Sequence, residues 1–158
     1  MENNFHKAVE FVLKHEGYYS LDKFDAGGET KFGISKRAYP NLDIKNLTRD
    51  QAIEIYKRDY WDKLPNTLPA AVHCVLFDCA VNAGIGRALR ILQAAIKVGQ
   101  DGKWGGLSQS ALNKYDVNDL LLKFVTERVM FYSTLTTFGR YGKGWVSRSL
   151  ATLIEFKE

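Results

Sequence analysis

The chain has 158 residues, 46% of them hydrophobic and 25% charged, with a formal net charge of +4. Those proportions match an ordinary soluble globular protein of one domain, or of two small ones sharing a core. A chain this long can bury roughly 70% of the surface its unfolded form exposes, so it needs neither a disulfide nor a metal staple. No apolar run reaches the 18 residues that a helical membrane span needs. The small cationic excess suits an anionic partner such as cell wall, nucleic acid or a membrane surface, without choosing among them.

Met1-Glu2-Asn3-Asn4-Phe5-His6-Lys7 lacks a basic stretch followed by an apolar one, so no secretory signal is expected and the protein is made in the cytoplasm. Phe5, Ala8, Val9, Val12 and Leu13 recur at helical spacing, with Asn3 or Asn4 as N-cap and Gly17 as C-cap. Residues 20 to 35 carry Gly27, Gly28 and Gly33 with Phe32 and Ile34, and predict a short hairpin, the one β region. Thr48 and Gln51 have capping-box spacing and open a helix that runs to Trp61. Pro65 and Pro69 precede a long apolar helix over about 69 to 83, and Gly84 and Gly86 interrupt before the pattern resumes at Ala88. Gly99 to Gly106 reads as a loop, leading into a helix capped by Ser108. Further helices are predicted over 108–114, 117–136 and 146–156, separated by Gly139, Gly142 and Gly144. The expected fold is mainly α, a helical bundle with one small β-hairpin near the N-terminus.

Cys74 and Cys79 would point about 140° apart on a helix at ~100° per residue, so they are poorly placed to pair. Their spacing fits neither a zinc knuckle nor a redox pair, and both sit in an apolar run as small buried hydrophobes. His6, His15 and His73 have no metal-ligand spacing. No metal and no organic cofactor is expected.

The chemistry-bearing stretch is Glu16-Gly17-Tyr18-Tyr19, then Asp22, Asp25-Ala26-Gly27-Gly28 and Thr30-Lys31-Phe32-Gly33-Ile34. It sets one carboxyl group at a helix end and another in a glycine-bearing loop, with a hydroxyl a few residues on. Cutting a glycosidic bond takes an acid, a carboxylate to handle water and a polar group to position it. Unpaired carbonyls at the helix C-terminus disfavour a carboxylate there, and a neighbourhood of Tyr18, Tyr19 and Phe32 would add desolvation, so Glu16 reads as the acid. Backbone N–H groups of a glycine-rich loop would keep Asp25 ionised, and Thr30 could hold a water. The plainer alternatives are a surface glutamate in a last helical turn, turn aspartates and an ordinary strand threonine.

These residues resemble the opening of glycoside hydrolase family 108, lysozyme-like muramidases of bacteria and their phages, some of them labelled secretion activator proteins. The matching positions are Glu16, Gly17, Tyr19, Asp22, Asp25, Gly27, Gly28, Thr30, Phe32, Gly33 and Ile34. The likeness continues through Tyr56, Tyr60-Trp61, Phe77-Asp78, Val81-Asn82-Ala83-Gly84, Leu92-Gln93 and Asp101-Gly102-Lys103-Trp104-Gly105 to Arg128, Tyr132, Gly144-Trp145 and Arg148. Tyr18 stands where a second glycine is usual, and Ala26 and Glu29 where prolines are common; no carboxyl or hydroxyl group is lost.

The resemblance implies an α+β lysozyme-like fold, with residues 1–87 as the catalytic region and 88–158 as a helical peptidoglycan-binding-like region packed on it. It implies hydrolysis of the β-1,4 bond between N-acetylmuramic acid and N-acetylglucosamine with Glu16 as the acid, and Asp25 and Thr30 are expected to act with it as the other catalytic residues. Tyr19, Asp22, Phe32, Trp61, Asn82 and Trp104 are the expected substrate-binding residues, an exposed tryptophan ring offering a sugar a broad apolar face. The expected partner is the peptidoglycan glycan strand, met after release or export, by a monomer that inserts into no membrane. Nucleic acid is not expected as a partner, because the cations are spread along the chain. The rival readings are a lytic transglycosylase and a non-catalytic wall-binding or export-associated protein.

Overall fold

The structure, a computed structural model, describes residues 2–17, 19–21 and 28–157. Among them seven α-helices surround one small antiparallel sheet. Helix α1 spans Glu2–His15 and buries Phe5, Ala8, Val9 and Val12, the apolar stripe of the 3.6-residue period. It begins before Asn3 and Asn4, so neither is its cap. Strands β1 (Tyr19–Leu21), β2 (Glu29–Lys31) and β3 (Ile34–Ser35) pair in that order, with Tyr19 opposite Lys31 and Lys31 opposite Ile34. The region is thus a three-stranded meander. The β2–β3 turn is Phe32-Gly33, both with positive φ (52° and 78°), the two-residue turn whose twist suits a hairpin.

Helix α2 spans Arg49–Asp59 and opens on the expected capping box, Thr48 with Gln51 in both directions. It stops short of Trp61, which begins a 3₁₀ turn, Trp61–Lys63. Helix α3, Ala70–Ala83, is buried along nearly its whole length, from Ala71 to Ala80. Gly84, at φ 87°, separates it from α4 (Ile85–Ala95). Helix α5 (Gly106–Leu112) starts two residues before Ser108, which is buried inside it and caps nothing. Helices α6 (Val117–Ser133) and α7 (Phe138–Phe156) close the fold.

Helix α7 begins eight residues before its expected start and runs straight through Gly139, Gly142 and Gly144. Packing outweighs propensity there. A Cβ on Gly142 would come within 2.6 Å of the Phe138 ring, so the glycine is what lets that ring lie along its own helix.

Helix α3 is the axis of the molecule. It packs against α1, α4, α6 and α7, and one apolar cluster runs from Phe5 to Phe156 across the expected boundary at residue 87. Cys74 and Cys79 are free and buried in it. Burial pushes each thiol up to about 11. No described helix is long and apolar enough to cross a membrane.

Candidate active site

Glu16 follows α1 directly, and its N–H still donates to the Val12 carbonyl at 2.9 Å. Its carboxylate accepts from Arg148 Nη1 at 2.6 Å, a contact across 132 residues. Arg148 turns its Nε and Nη2 to Asp78 Oδ1, at 2.9 and 2.8 Å. Asp78 Oδ2 in turn faces Arg128 Nη1 at 2.8 Å. Two carboxylates and two guanidinium groups therefore alternate from the surface into the core. The Glu16 and Arg148 side chains are 23% and 11% exposed, whereas Asp78 and Arg128 are 1% and 0%. Only the outer pair can meet a ligand. The inner pair, shut from solvent, is tolerable because each charge has its opposite beside it. Burial works against the Arg148 charge, but the Asp78 and Glu16 carboxylates outweigh it and push its titration up.

The other side of Glu16 is built by the hairpin and α2. The Tyr56 hydroxyl donates to the Phe32 carbonyl at 2.8 Å and so ties the β2–β3 turn to α2. At Gly33 a Cβ would lie 2.5 Å from that hydroxyl and 2.8 and 2.9 Å from Cγ and Cδ of Glu16. The turn therefore presses on the glutamate side chain, and its glycine is required twice, by φ and by space. Burial and then the Glu16 charge push the Tyr56 phenol up. Tyr60 is pushed up as well, by burial, then by Asp59 and Glu16.

The structure brings together only some of the expected site residues. Asp22 and Asp25 lie outside the described residues. Thr30 sits half-buried on the central strand, its hydroxyl 3.4 Å from the Gly28 carbonyl. Tyr19 is exposed and donates to Glu29 Oε1 at 3.0 Å. Phe32 lines a groove of about 890 Å³ with Phe11, Lys14, His15 and Arg49; Glu16 is not among its lining residues.

Trp61 differs from its expected role. It is 6% exposed and stacked on His73 at 4.0 Å, with Phe5 and Phe77 against it, because the 3₁₀ turn rotates it into the core. It has no open face for a sugar. Trp104 is half-buried against the core and donates through Nε1 to Gln109 at 3.1 Å. The nearby Asp101 carboxylate is already occupied, accepting from Lys103 N–H in its own loop and from Gln93 Nε2 on α4. Asn82 is exposed near the end of α3, one turn beyond Asp78, and accepts from the Tyr132 hydroxyl at 2.5 Å.

Sequence reasoning missed the partners of Glu16. A signal was present: Asp78 is the one acid in an otherwise apolar or neutral helix, and a lone charge in such a run implies a buried counter-charge.

A carboxyl group at the end of the first helix, pressed by a small antiparallel sheet and set in a helical body, defines a mainly α, lysozyme-like protein. Residues 9–84 match the family model described as Glycosyl hydrolase 108, a span that holds Glu16, the hairpin, Tyr56, Asp78 and Asn82. The structure of Brucella abortus SagA is similar to this chain, with 30% sequence identity and a TM-score of 0.88 over 100% of this chain and 98% of that one. The chain belongs to the Glycosyl hydrolase 108 family. No curated protein matches it.

Proposed function

We propose that the protein is an N-acetylmuramidase that hydrolyses the β-1,4 bond between N-acetylmuramic acid and N-acetylglucosamine in peptidoglycan. The observation that carries this reading is the position of Glu16, partly exposed at a site built from α1, the hairpin, α2 and α7, within the span that matches a glycosyl hydrolase family. Glu16 is the acid. The protonated form of Glu16 is the one that acts, and while Glu16 carries the proton Arg148 keeps Asp78 and is not stranded. The proton passes to the glycosidic oxygen as positive charge develops on the sugar ring. The emerging Glu16 carboxylate then regains Arg148, so charge forms where a cation waits for it. Asp25 acts as base for water or as electrostatic partner, and Thr30 positions the water. Residues 88–158 serve as the helical region that packs on the catalytic part and supports wall contact. The protein acts on the wall after leaving the cytoplasm.

Purified protein and its Glu16→Gln variant, incubated with peptidoglycan and followed by mass spectrometry of the released muropeptides, test this reading. Reducing-end N-acetylmuramic acid from the unmodified protein alone is the expected result. Anhydro products would make it a lytic transglycosylase, and tight binding to intact substrate would make it a non-catalytic wall-binding protein.

A further inference from the structure

The buried Arg128 guanidinium serves a second branch besides Asp78. Its Nε–H donates to the Tyr132 hydroxyl oxygen at 3.1 Å, and that hydroxyl lies 2.5 Å from Asn82 Oδ1. The direction of this chain is fixed by chemistry. A guanidinium has no acceptor, and a tyrosine hydroxyl has a single proton, so that proton can go only to Asn82. An amide oxygen and nitrogen are otherwise easily interchanged, but here the oxygen must face inward. The Asn82 Nδ2 group is left pointing away as a pure donor on an exposed residue. Among the described residues nothing accepts from it.

The same geometry locates this donor relative to Glu16. Asp78 and Asn82 are four residues apart on α3, hence on one face and about 6 Å apart along its axis. Asp78 holds Arg148, which holds Glu16. Tyr132 itself is 2% exposed and packs on Trp145, one turn of α7 from Arg148, with ring centroids 5.1 Å apart. One buried cation thus braces the acid through one branch and a donor through the other.

We infer that Asn82 recognises the acetamido carbonyl of an N-acetylated sugar, with Tyr132 and Arg128 as positioning residues that lock its amide in the donating orientation. This inference rests on the muramidase reading. Among the polar groups of such a glycan, hydroxyls can donate or accept, while the acetamido carbonyl only accepts. A donor whose role cannot reverse suits the carbonyl and cannot pair with the ammonium that de-N-acetylation leaves in its place, and a site built this way loses much when its partner is missing.

The test is equilibrium binding, by titration calorimetry, of the non-hydrolysing Glu16→Gln protein to peptide-free peptidoglycan glycan strands and to the same strands de-N-acetylated. The N-acetylated strands are expected to bind about tenfold tighter or more, as for one lost hydrogen bond. Adding Asn82→Asp places an acceptor where the donor was, and is expected to abolish the preference or turn it toward the ammonium-bearing strands. Adding Tyr132→Phe instead keeps the ring and removes only the proton, and is expected to weaken the preference without abolishing binding; a merely structural role would shift the melting temperature and leave the preference alone. Binding with the preference intact in both double variants overturns this inference and leaves the muramidase reading standing. Failure of the Glu16→Gln protein to bind either strand overturns both.

Discussion

Gly33 shows how one residue without a side chain can set the position of one that has chemistry. With φ at 78° and both Tyr56 and Glu16 inside the space of a Cβ, Gly33→Ala must strain the turn and displace the glutamate. Shifts of about 1 Å at a reacting group cost on the order of 10²-fold in rate. Peptidoglycan hydrolysis by Gly33→Ala is expected to fall by about that factor, with binding far less affected; an unchanged rate would detach the hairpin from the chemistry. Asp78 acts deeper. Asp78→Asn leaves Arg128, which has no solvent contact, without its counter-charge. Stranding a buried ion costs about 3–5 kcal/mol, and chemical denaturation should show a loss of that size. A loss under 1 kcal/mol would mean that Arg128 finds another partner. The glutamate, the glycine and Tyr56 all stand in the sequence, but nothing local pairs Glu16 with a residue 132 positions away. That pairing is a product of helix packing, and it was legible only as an unexplained acid in an apolar helix.

At the scale of elements, some local signals hold and others do not: neither Asn3 nor Asn4 caps α1, and Ser108 lies inside α5. The capping box at Thr48 and Gln51 opens α2, and the apolar period places α3 to within a residue. Other differences fall where tertiary contact overrides local preference. The sequence pattern places Trp61 at the end of a helix with a free face, and the 3₁₀ turn carries it into the core instead. By propensity the glycines at 139, 142 and 144 separate helices, yet α7 passes through them. Each costs the helix roughly 0.5–1 kcal/mol relative to alanine. Gly144 is exposed with open space around it, so Gly144→Ala is expected to stabilise the protein by about that amount. Gly142→Ala meets the Phe138 ring and is expected to return no such gain. Thermal melts of the two variants check the contrast. Equal stabilisation by both would show that Phe138 moves aside freely.

The whole molecule is organised around α3, which touches both halves of the chain and carries Asp78 and Asn82 on one face. The division at residue 87 therefore crosses a continuous core and separates Glu16 from Arg148. Calorimetry is expected to show a single cooperative transition. Two resolved transitions would mean that the two parts unfold separately, and would weaken the structural coupling of Glu16 to Arg148. A helical fold with one small sheet was readable from periodicity and glycine placement. The site was readable in part, as Glu16 and the hairpin, because those lie close together in sequence. The charge network that completes it draws on α3, α6 and α7 and needed the folded chain.

In the proposed mechanism Glu16 supplies the proton that breaks the glycosidic bond. The direct measurement is the rate of reducing-end release from peptidoglycan by the unmodified protein and by Glu16→Gln, each shown to melt as a folded protein. A fall of about 10²- to 10⁴-fold is expected for loss of a general acid. Equal rates would remove Glu16 from the chemistry.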